Sequence, residues 1–483
     1  MARKSVATIN REIEAAPKLN RVLGLRALTA IGLGSMIGSG IFVLTGTVAA
    51  QHTGPAVTLA FLVAAFGCGL AAMCYAELAS MIPVSGSAYS YTYATLGEGL
   101  AWFVGWNLLL EYVMSAAAVA VSWSGYVVNL LAEFGVTLPP ALTNAPLGKT
   151  DETLHHLGFT GAIVNLPAVL IIAALSYVCY VGMRQSARAN NVMVVVKIVI
   201  IIAFVLFGLR YVSTDFWSPY LPQNTGQFGH FGLSGVLQGA AIIFFAYIGF
   251  DQAAATAQEA RNPQRDVPRG ILAALAISTT LYVTMAAVMT GMVPFADLNV
   301  AAPVAVALDA HPDLRWLALP VKIGIIVGLT SVILMSLLGQ PRIFLAMSRD
   351  GLLPPAMQKV HPTHRTPHVG TLVTGLIAAI FAGLFPLDVL GELISIGILI
   401  AFSAVCAGVV VLRYTQPETP RGFRVPLAKV TGPAGVLVCF AMAAALPHDT
   451  WIRLAIWTAI GLVVYLAYGY RNSRLNPANS GSA

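Results

Sequence analysis

Apolar runs of about 20 residues recur along almost the whole chain, and they limit its possible folds more than any other feature. A run of that length crosses a bilayer as one helix. Only 10% of the residues are charged, whereas a soluble domain carries about a quarter. The pattern predicts an all-α membrane protein with 12 spans, which begin near Ala27, Val57, Ala101, Gly161, Val192, Ser234, Gly270, Leu317, Val369, Leu390, Pro433 and Trp451.

Basic residues are distributed unevenly between the loops. With the N-terminus inside, 21 lysines and arginines fall on the cytoplasmic side and four on the outer side, namely Lys149, Arg210, Arg315 and Arg453. Such a bias sets the orientation of polytopic proteins. The sequence therefore predicts a multi-pass protein of the plasma (inner) membrane, with the lipid bilayer around it and both termini in the cytoplasm.

Several other functions are not indicated. The net charge of +7 follows the loop bias, so a nucleic-acid partner is not implied. The loops contain neither a nucleophile–base pair nor a set of metal ligands, and the pair His155–His156 is interpreted as an ordinary loop. We expect no enzyme, no cofactor and no metal site. The five cysteines lie in apolar runs and are interpreted as buried hydrophobic residues: Cys68, Cys74, Cys179, Cys406 and Cys439.

The first span contains four glycines in close succession, ending at Gly38-Ser39-Gly40. Glycines weaken a helix and permit close approach of backbones. Unwinding at residues 38–40 would free amide N–H groups at the start of a second half-helix, and these suit a carboxylate. The freed carbonyls of Met36 and Ile37 suit an ammonium group, and Ser39 adds one hydroxyl. The alternative interpretation is tight helix packing through Gly34 and Gly38.

A second interruption is predicted in the sixth span, at Phe245-Ala246-Tyr247-Ile248-Gly249. Two interrupted helices in corresponding positions of two halves are the best indication of a transporter's substrate site. Carbonyls of Phe245, Ala246 and Ile248 would hold the ammonium group of the substrate. Phe245 or Tyr247 is a candidate gate, although aromatic packing in a core helix is the more common explanation for either residue.

Ionisable side chains at membrane depth cost about 3 kcal/mol each on insertion scales and usually mark a functional pathway. Glu111, Asp251 and Glu77 are such residues. Lys197 stands in a wholly apolar stretch, and a lysine that gains and loses a proton there is a candidate coupling element. Its ammonium group would also replace a bound sodium ion, and the fifth span is expected to meet the first near Lys197 and Gly34–Gly38. The alternative is a lysine that extends to the inner face of the membrane or is permanently paired. Lys322 lies close enough to the outer interface to be expected to extend its side chain towards water.

These segments resemble the signature of the amino acid–polyamine–organocation superfamily, and the closest branch is similar to bacterial members of the cationic amino acid transporter family. The resemblance covers about residues 25–470. The motifs that carry it are Gly32–Phe42, Tyr75–Leu78, Pro83–Tyr91, Phe250-Asp251, Glu259–Gln264 and Arg342–Pro354.

The resemblance implies a LeuT-like fold with two inverted repeats of five helices. The N-terminal tail would be 1–26, the repeats 27–211 and 212–413, the two peripheral helices 414–471 and the C-terminal tail 472–483. It further implies proton-coupled uptake of L-amino acids, with the proton as coupling ion. Residues 37–40 would hold the substrate carboxylate, Phe245, Ala246 and Ile248 the amine, and Lys197 would couple the proton.

The substrate remains open at this point. The branch usually has two glutamates where this chain has Gln258-Glu259, and Ser336 resembles the small residue of eukaryotic cationic transporters. Ser336 leaves room for a longer side chain, and Asp251 would favour a cationic one. The sequence favours small neutral amino acids such as alanine, within a broad range. A cationic amino acid transporter and an exchanger are the alternatives, and an accessory subunit is left undetermined.

Overall fold

The computed structural model describes residues 23–82, 86–149, 157–182, 187–364 and 366–475. Most of these residues are helical. Within these ranges, eight helices are long and apolar enough to cross a membrane, and four shorter apolar helices accompany them: Leu25–Met36, Leu166–Val181, His368–Leu384 and Ala428–Ala444. The chain is therefore a multi-pass α-helical membrane protein.

The described residues of the first half of the chain form seven helices. They are α1 (Leu25–Met36), α2 (residues 40–53, with π-helical turns Gly40–Leu44 and Ala49–Thr53), α3 (Val57–Met81), α4 (Ser87–Thr95), α5 (Glu98–Glu133), α6 (Leu166–Val181) and α7 (Ala187–Gly208). Between α5 and α6, strands β1 (Leu147–Lys149) and β2 (Leu157–Phe159) pair antiparallel.

In the second half, the part of the chain that the structure describes forms ten helices. They are α8 (Gly232–Ile243), α9 (Phe250–Ala255), α10 (Pro263–Met292), α11 (Pro303–Asp309), α12 (Arg315–Arg349), α13 (His368–Leu384), α14 (Leu387–Thr415), α15 (Ala428–Ala444), α16 (His448–Val464) and α17 (Tyr470–Asn472). A 3₁₀ turn, Phe244–Tyr247, joins α8 to the backbone break before α9.

Helices occupy the predicted spans, with one shifted start. Eleven of the predicted starting points lie inside helices, whereas the fourth helix begins at Leu166 rather than near Gly161. Asn165 explains this start, because its side chain accepts a hydrogen bond from the amide of Ala168 and caps the helix, with Pro167 in the first turn. Most of the N-terminal tail, Pro83–Ser85, His155–His156 and the end of the C-terminal tail lie outside the described residues, as does the side chain of Gln258.

Helix α5 is the centre of the molecule. In its most apolar stretch 89% of the residues are buried, against 17% for the corresponding stretch of the last long helix. α5 packs against α12 and α14. Because α5 and α12 are both longer than a bilayer-spanning helix needs to be, they form a continuous frame against which the interrupted helices lie.

Glu77, near the end of α3, is buried in a cluster with arginines from a distant part of the chain. Arg413 Nη2 lies 2.6 Å from one carboxylate oxygen and Arg421 Nε 3.0 Å from the other. The amide of Val425 donates to the same carboxylate at 2.7 Å. This cluster ties α3 to the end of α14 and to the loop before α15.

Lys322 does not extend towards water, so the expectation for this side chain is wrong. It is fully buried, and its ammonium group contacts the carboxylates of Glu133 and Asp309. Glu133 and Asp309, on neighbouring elements, balance the charge of Lys322 inside the protein. The sequence alone does not indicate that these two acids lie near the lysine.

Replacing Glu77 with glutamine should destabilise the protein markedly. The change leaves Arg421 buried without its counter-charge, and losing one partner of a buried ion pair costs about 3 kcal/mol or more. We expect the midpoint of thermal unfolding in detergent to fall by several degrees. Arg424→Gln, in the same loop but exposed, is the control and should leave the midpoint unchanged. Equal midpoints for both variants would contradict the structural role of the cluster.

Candidate functional site

The first interruption separates α1 from α2. α1 ends at Met36, and Ile37 leaves the helix with an extended backbone. The helical conformation resumes at Ser39, so the break lies at Ile37 and Gly38, slightly earlier than the predicted 38–40. As at any helix start, the first amide N–H groups of α2 have no partner within the helix. These donors lie at the middle of the first predicted span.

The second interruption lies between α8 and α9. The 3₁₀ turn Phe244–Tyr247 is followed by Ile248 in an extended conformation and Gly249 with φ +127°. Only glycine adopts this φ readily, which explains why the helix breaks at this residue. The carbonyl of Ala246 accepts a hydrogen bond from the Tyr282 hydroxyl of α10 at 3.0 Å, and the carbonyl of Phe245 accepts from the amide of Ile248.

The two interruptions touch each other. A Cβ atom on Gly40 would lie 2.3 Å from Ala246 Cβ and 2.5 Å from its Cα. A Cβ on Gly249 would lie 2.6 Å from Ser35 Cβ and 2.9 Å from the amide nitrogen of Met36. Glycines at both positions therefore let the two broken backbones pack directly on one another.

A small cavity of about 20 Å³ lies where they meet. This is room for about one water molecule, so the walls are closed around the site. Its lining includes eight of the eleven predicted substrate-binding residues: Met36, Gly38, Ser39, Gly40, Phe245, Ala246, Ile248 and Ser336. Ser39 is almost fully buried, and its hydroxyl has no hydrogen-bond partner among the described residues. The predicted Ile37, Glu111 and Asp251 are not among the lining residues.

The sequence reading missed six residues of the cavity wall: Ser35, Ser115, Val119, Gly249, Gln252 and Val332. The Ser35 hydroxyl donates to Gln252 Oε1 at 2.8 Å, which links α1 to α9. The Ser336 hydroxyl donates to that of Ser115 at 3.3 Å, which links α12 to α5. Ser35 lies within the motif Gly32–Phe42, and Gln252 directly follows the motif Phe250-Asp251. Ser115 and Val119 are four residues apart on one face of α5, a pattern that ordinary packing also produces.

The two aromatic gate candidates differ in position. Tyr247 is fully buried and donates to the carbonyl of Phe61 in α3 at 3.0 Å, with its ring against Phe61 and Tyr282. Phe245 lines the cavity. The geometry therefore favours Phe245 as the side chain that borders a bound molecule, and Tyr247 as a packing residue.

Lys197 of α7 reaches the first interrupted helix. It is fully buried, and its Nζ donates to the carbonyl oxygen of Gly34 at 2.7 Å. Its methylene stem lies against Gly328 of α12. The contact predicted between the fifth span and the glycine-rich part of the first is present, and the alternative of a lysine extended towards water does not fit this burial.

Glu111 and Asp251 form a second buried polar group beside the cavity. The Tyr112 hydroxyl donates to Asp251 Oδ2 at 3.1 Å. Both carboxylates are buried, and one oxygen of each, Glu111 Oε2 and Asp251 Oδ1, has no hydrogen-bond partner among the described residues. The structure thus sets these two acids apart from the cavity wall, together with a tyrosine of α5.

A larger cavity of about 740 Å³ opens at one end of the helices. Its wall includes Val43 and Thr47 of α2 and Val121 and Gly125 of α5. The larger cavity therefore lies on the α2 side of the small cavity. Polar side chains from several loops complete the lining, among them Gln51, His52, Asn144, Asn165, His230, Asn299 and Asp388.

Two broken membrane helices that meet at a buried cavity are typical of a membrane transporter. A family model for amino acid permeases matches residues 23–466, so the chain belongs to this family within the amino acid–polyamine–organocation superfamily. It is a permease and not an enzyme.

The chain is similar to characterised transporters over almost its full length. It is 43% identical to a branched-chain amino acid permease of Bacillus subtilis over 475 residues, which cover 98% of both chains. It is also 43% identical to the methylthioribose transporter of Bacillus subtilis over 479 residues, again 98% of both. A vacuolar cationic amino acid transporter 4 of Arabidopsis thaliana is 39% identical over 407 residues, 83% of this chain and 64% of the relative.

Replacing Gly40 with alanine should weaken substrate binding. The added methyl group would lie between Gly40 and Ala246, in the space that a bound amino acid has to occupy. Overpacking of this kind costs about 1–3 kcal/mol, which is about fivefold or more in Kd. The measurement is scintillation-proximity binding of radiolabelled L-alanine, L-leucine and L-arginine to purified protein. Gly69→Ala in α3, where a Cβ meets its nearest neighbour at 3.9 Å, is the matched control. Unchanged Kd for Gly40→Ala would argue against this site.

Proposed function

We propose that this permease takes up L-amino acids together with protons by alternating access, in the plasma membrane and with both termini in the cytoplasm. The described helices support an arrangement of 12 spans, with inverted repeats at 27–211 and 212–413 and two peripheral helices at 414–471. The proton is the only coupling ion in this proposal, and no cofactor takes part.

The observation that carries the proposal is the meeting of two helix breaks at one closed cavity. The amide N–H groups at the start of α2, around residues 37–40, would hold the substrate carboxylate, since helix N-termini bind anions. The unpartnered hydroxyl of Ser39 would add a donor to it. On the opposite side, backbone carbonyls of Met36, Phe245, Ala246 and Ile248 would hold the ammonium group.

The cavity wall favours a neutral side chain on the substrate. None of the 14 lining residues has an ionisable side chain. A lysine or arginine substrate would bring a charge that this wall leaves unpaired, and unpaired buried charges are costly. Small neutral amino acids such as alanine are therefore our main candidates. The branched-chain amino acids named for a 43% identical relative extend this class to larger apolar side chains.

Cationic amino acids are the principal alternative. Asp251 lies in the first turn of α9, three residues after the lining residue Ile248. Its free carboxylate oxygen would pair with a substrate cation if the walls moved apart. Relatives that are 37–39% identical are named cationic amino acid transporters. Ser336, whose small side chain lines the cavity, is compatible with either substrate class.

Lys197 is our candidate for proton coupling. Its ammonium group donates a hydrogen bond to the carbonyl of Gly34, just before the break between α1 and α2. In a protein without this lysine, a bound cation would stabilise the carbonyls at this position. Loss of the proton would remove that charge and loosen α1 from α7. Proton binding and the movement of the interrupted helix would thus be linked through one hydrogen bond.

Uptake into proteoliposomes tests the transport proposal and its substrate class. Radiolabelled L-alanine and L-leucine should accumulate when an inward proton gradient is applied, and a sodium gradient of equal size should not replace it. L-arginine uptake should be weak. Strong arginine uptake would instead favour the cationic alternative, and labelled methylthioribose is a suitable fourth solute because a relative of this chain is named for it.

Replacing Lys197 with methionine should separate proton coupling from substrate binding. We expect gradient-driven uptake to fall to the level of empty liposomes, while exchange of internal for external amino acid persists, because Lys197 is not among the residues lining the substrate cavity. Thermal unfolding of the variant in detergent controls for folding. Full retention of gradient-driven uptake would exclude the coupling role. Wild-type uptake only into preloaded liposomes would identify the protein as an exchanger.

A further inference from the structure

The buried ion group around Lys322 connects three separate elements. Lys322 lies in the first turns of α12, Glu133 is the last residue of α5 and Asp309 is the last residue of α11. The ammonium group contacts Glu133 Oε1 and lies 2.9 Å from Asp309 Oδ2. Lys322, Glu133 and Asp309 belong to three different helices, so this ion group connects helices that could otherwise move separately. We call these three residues the junction.

The junction lies at one end of the segment 293–309, which contains the short 3₁₀ turn Phe295–Leu298 and α11. At its other end this segment packs on α2. A Cβ on Gly46 would lie 2.4 Å from the carbonyl oxygen of Leu298 and 2.7 Å from Pro303 Cβ. The segment therefore bridges the second half of the first interrupted helix and the frame formed by α5 and α12.

The same segment forms part of the wall of the 740 Å³ cavity. Ala296, Asn299, Val300 and Ala301 line it, and Ala301 also lies against Gly125 of α5. The segment therefore contributes to the wall of the larger cavity and also packs on α2. A change in its position would alter both.

The charges of this ion group favour the arrangement in which α11 lies against α5 and α12. Lys322 is fully buried, whereas the side chains of Glu133 and Asp309 are 36% and 44% exposed. The two acids can therefore be rehydrated when α11 moves away, but the lysine cannot follow them. Without Lys322 the two carboxylates would repel each other, and this repulsion would favour separation of α11 from α5.

We propose that Lys322 is a positioning residue that holds α11 on α5 and α12, and thereby sets how often the segment 293–309 opens the entrance to the substrate cavity. The proposal rests on the transport function proposed above. Lys322 is not among the residues that line the small cavity, so its effect is on access and turnover rather than on the contacts of a bound substrate.

Cysteine accessibility in lipid nanodiscs tests this proposal. Ala305 of α11 and Ala378 of α13 are both buried, and the five native cysteines are buried as well. A cysteine at position 305 should react slowly with a charged maleimide in the otherwise wild-type protein. In Lys322→Met its reaction rate should rise by about fivefold or more, because local opening becomes easier. A cysteine at 378 should stay unreactive in both backgrounds.

Further variants separate anchoring from simple loss of stability. Arg315→Met removes an exposed charge from the same end of α12 and should leave the rate at position 305 unchanged. Combining Lys322→Met with Glu133→Gln and Asp309→Asn removes the unpaired charges but also the tether, so the rate at 305 should stay raised. A return to the wild-type rate in this triple variant would overturn the proposal, as would an unchanged rate in Lys322→Met.

Substrate assays then complete the test. The Kd for the amino acid that the wild type binds should change less than about twofold in Lys322→Met, whereas the turnover of uptake should fall by about fivefold or more. An equal rise in reactivity at positions 305 and 378 would show general unfolding and contradict the proposal. The labelling needs no substrate, so its failure is distinct from a failure of the transport function.

Discussion

The hydrocarbon core of a membrane offers no partners for free backbone groups, and this constraint determines where the chain can break its helices. Irregular backbone at membrane depth is tolerated only where protein buries it or where it borders a cavity. Both interruptions satisfy this condition by facing each other. Gly40 lies on Ala246, and Gly249 lies on Ser35 and Met36. Each broken helix supplies the surroundings that the other requires.

Buried charges follow the same constraint. Lys197 is balanced by a backbone carbonyl at a helix break, Glu77 by two arginines and Lys322 by two acids. The ion groups of Glu77 and Lys322 each join helices that are distant in sequence. Lys197 differs from them because its partner is the neutral carbonyl of Gly34. Loss of the proton from Lys197 therefore costs less free energy, since no oppositely charged partner is left unpaired. This contrast is the physical reason to assign the coupling role to Lys197.

The sequence predicted the features that depend on local composition. Apolar length predicted the helices, clustered glycines predicted the first break, and an isolated lysine in an apolar run predicted the contact with α1. Features that depend on long-range packing were not predicted. Nothing local distinguishes Tyr247 from Phe245, yet the carbonyl of Phe61 turns one of them away from the cavity. Lys322 was misread because its two carboxylate partners lie 189 and 13 residues away.

The contacts at Gly40 and Gly249 also bear on how binding and movement are linked. A cavity of about 20 Å³ cannot admit an amino acid while Gly40 touches Ala246. Entry of a substrate therefore requires α2 to move away from the turn between α8 and α9. The segment 293–309 packs on α2 through Gly46, whereas Lys197 holds α1 on the other side of the break. Substrate entry and proton exchange would thus act on opposite halves of one interrupted helix, and the break at Ile37 and Gly38 permits those halves to move separately.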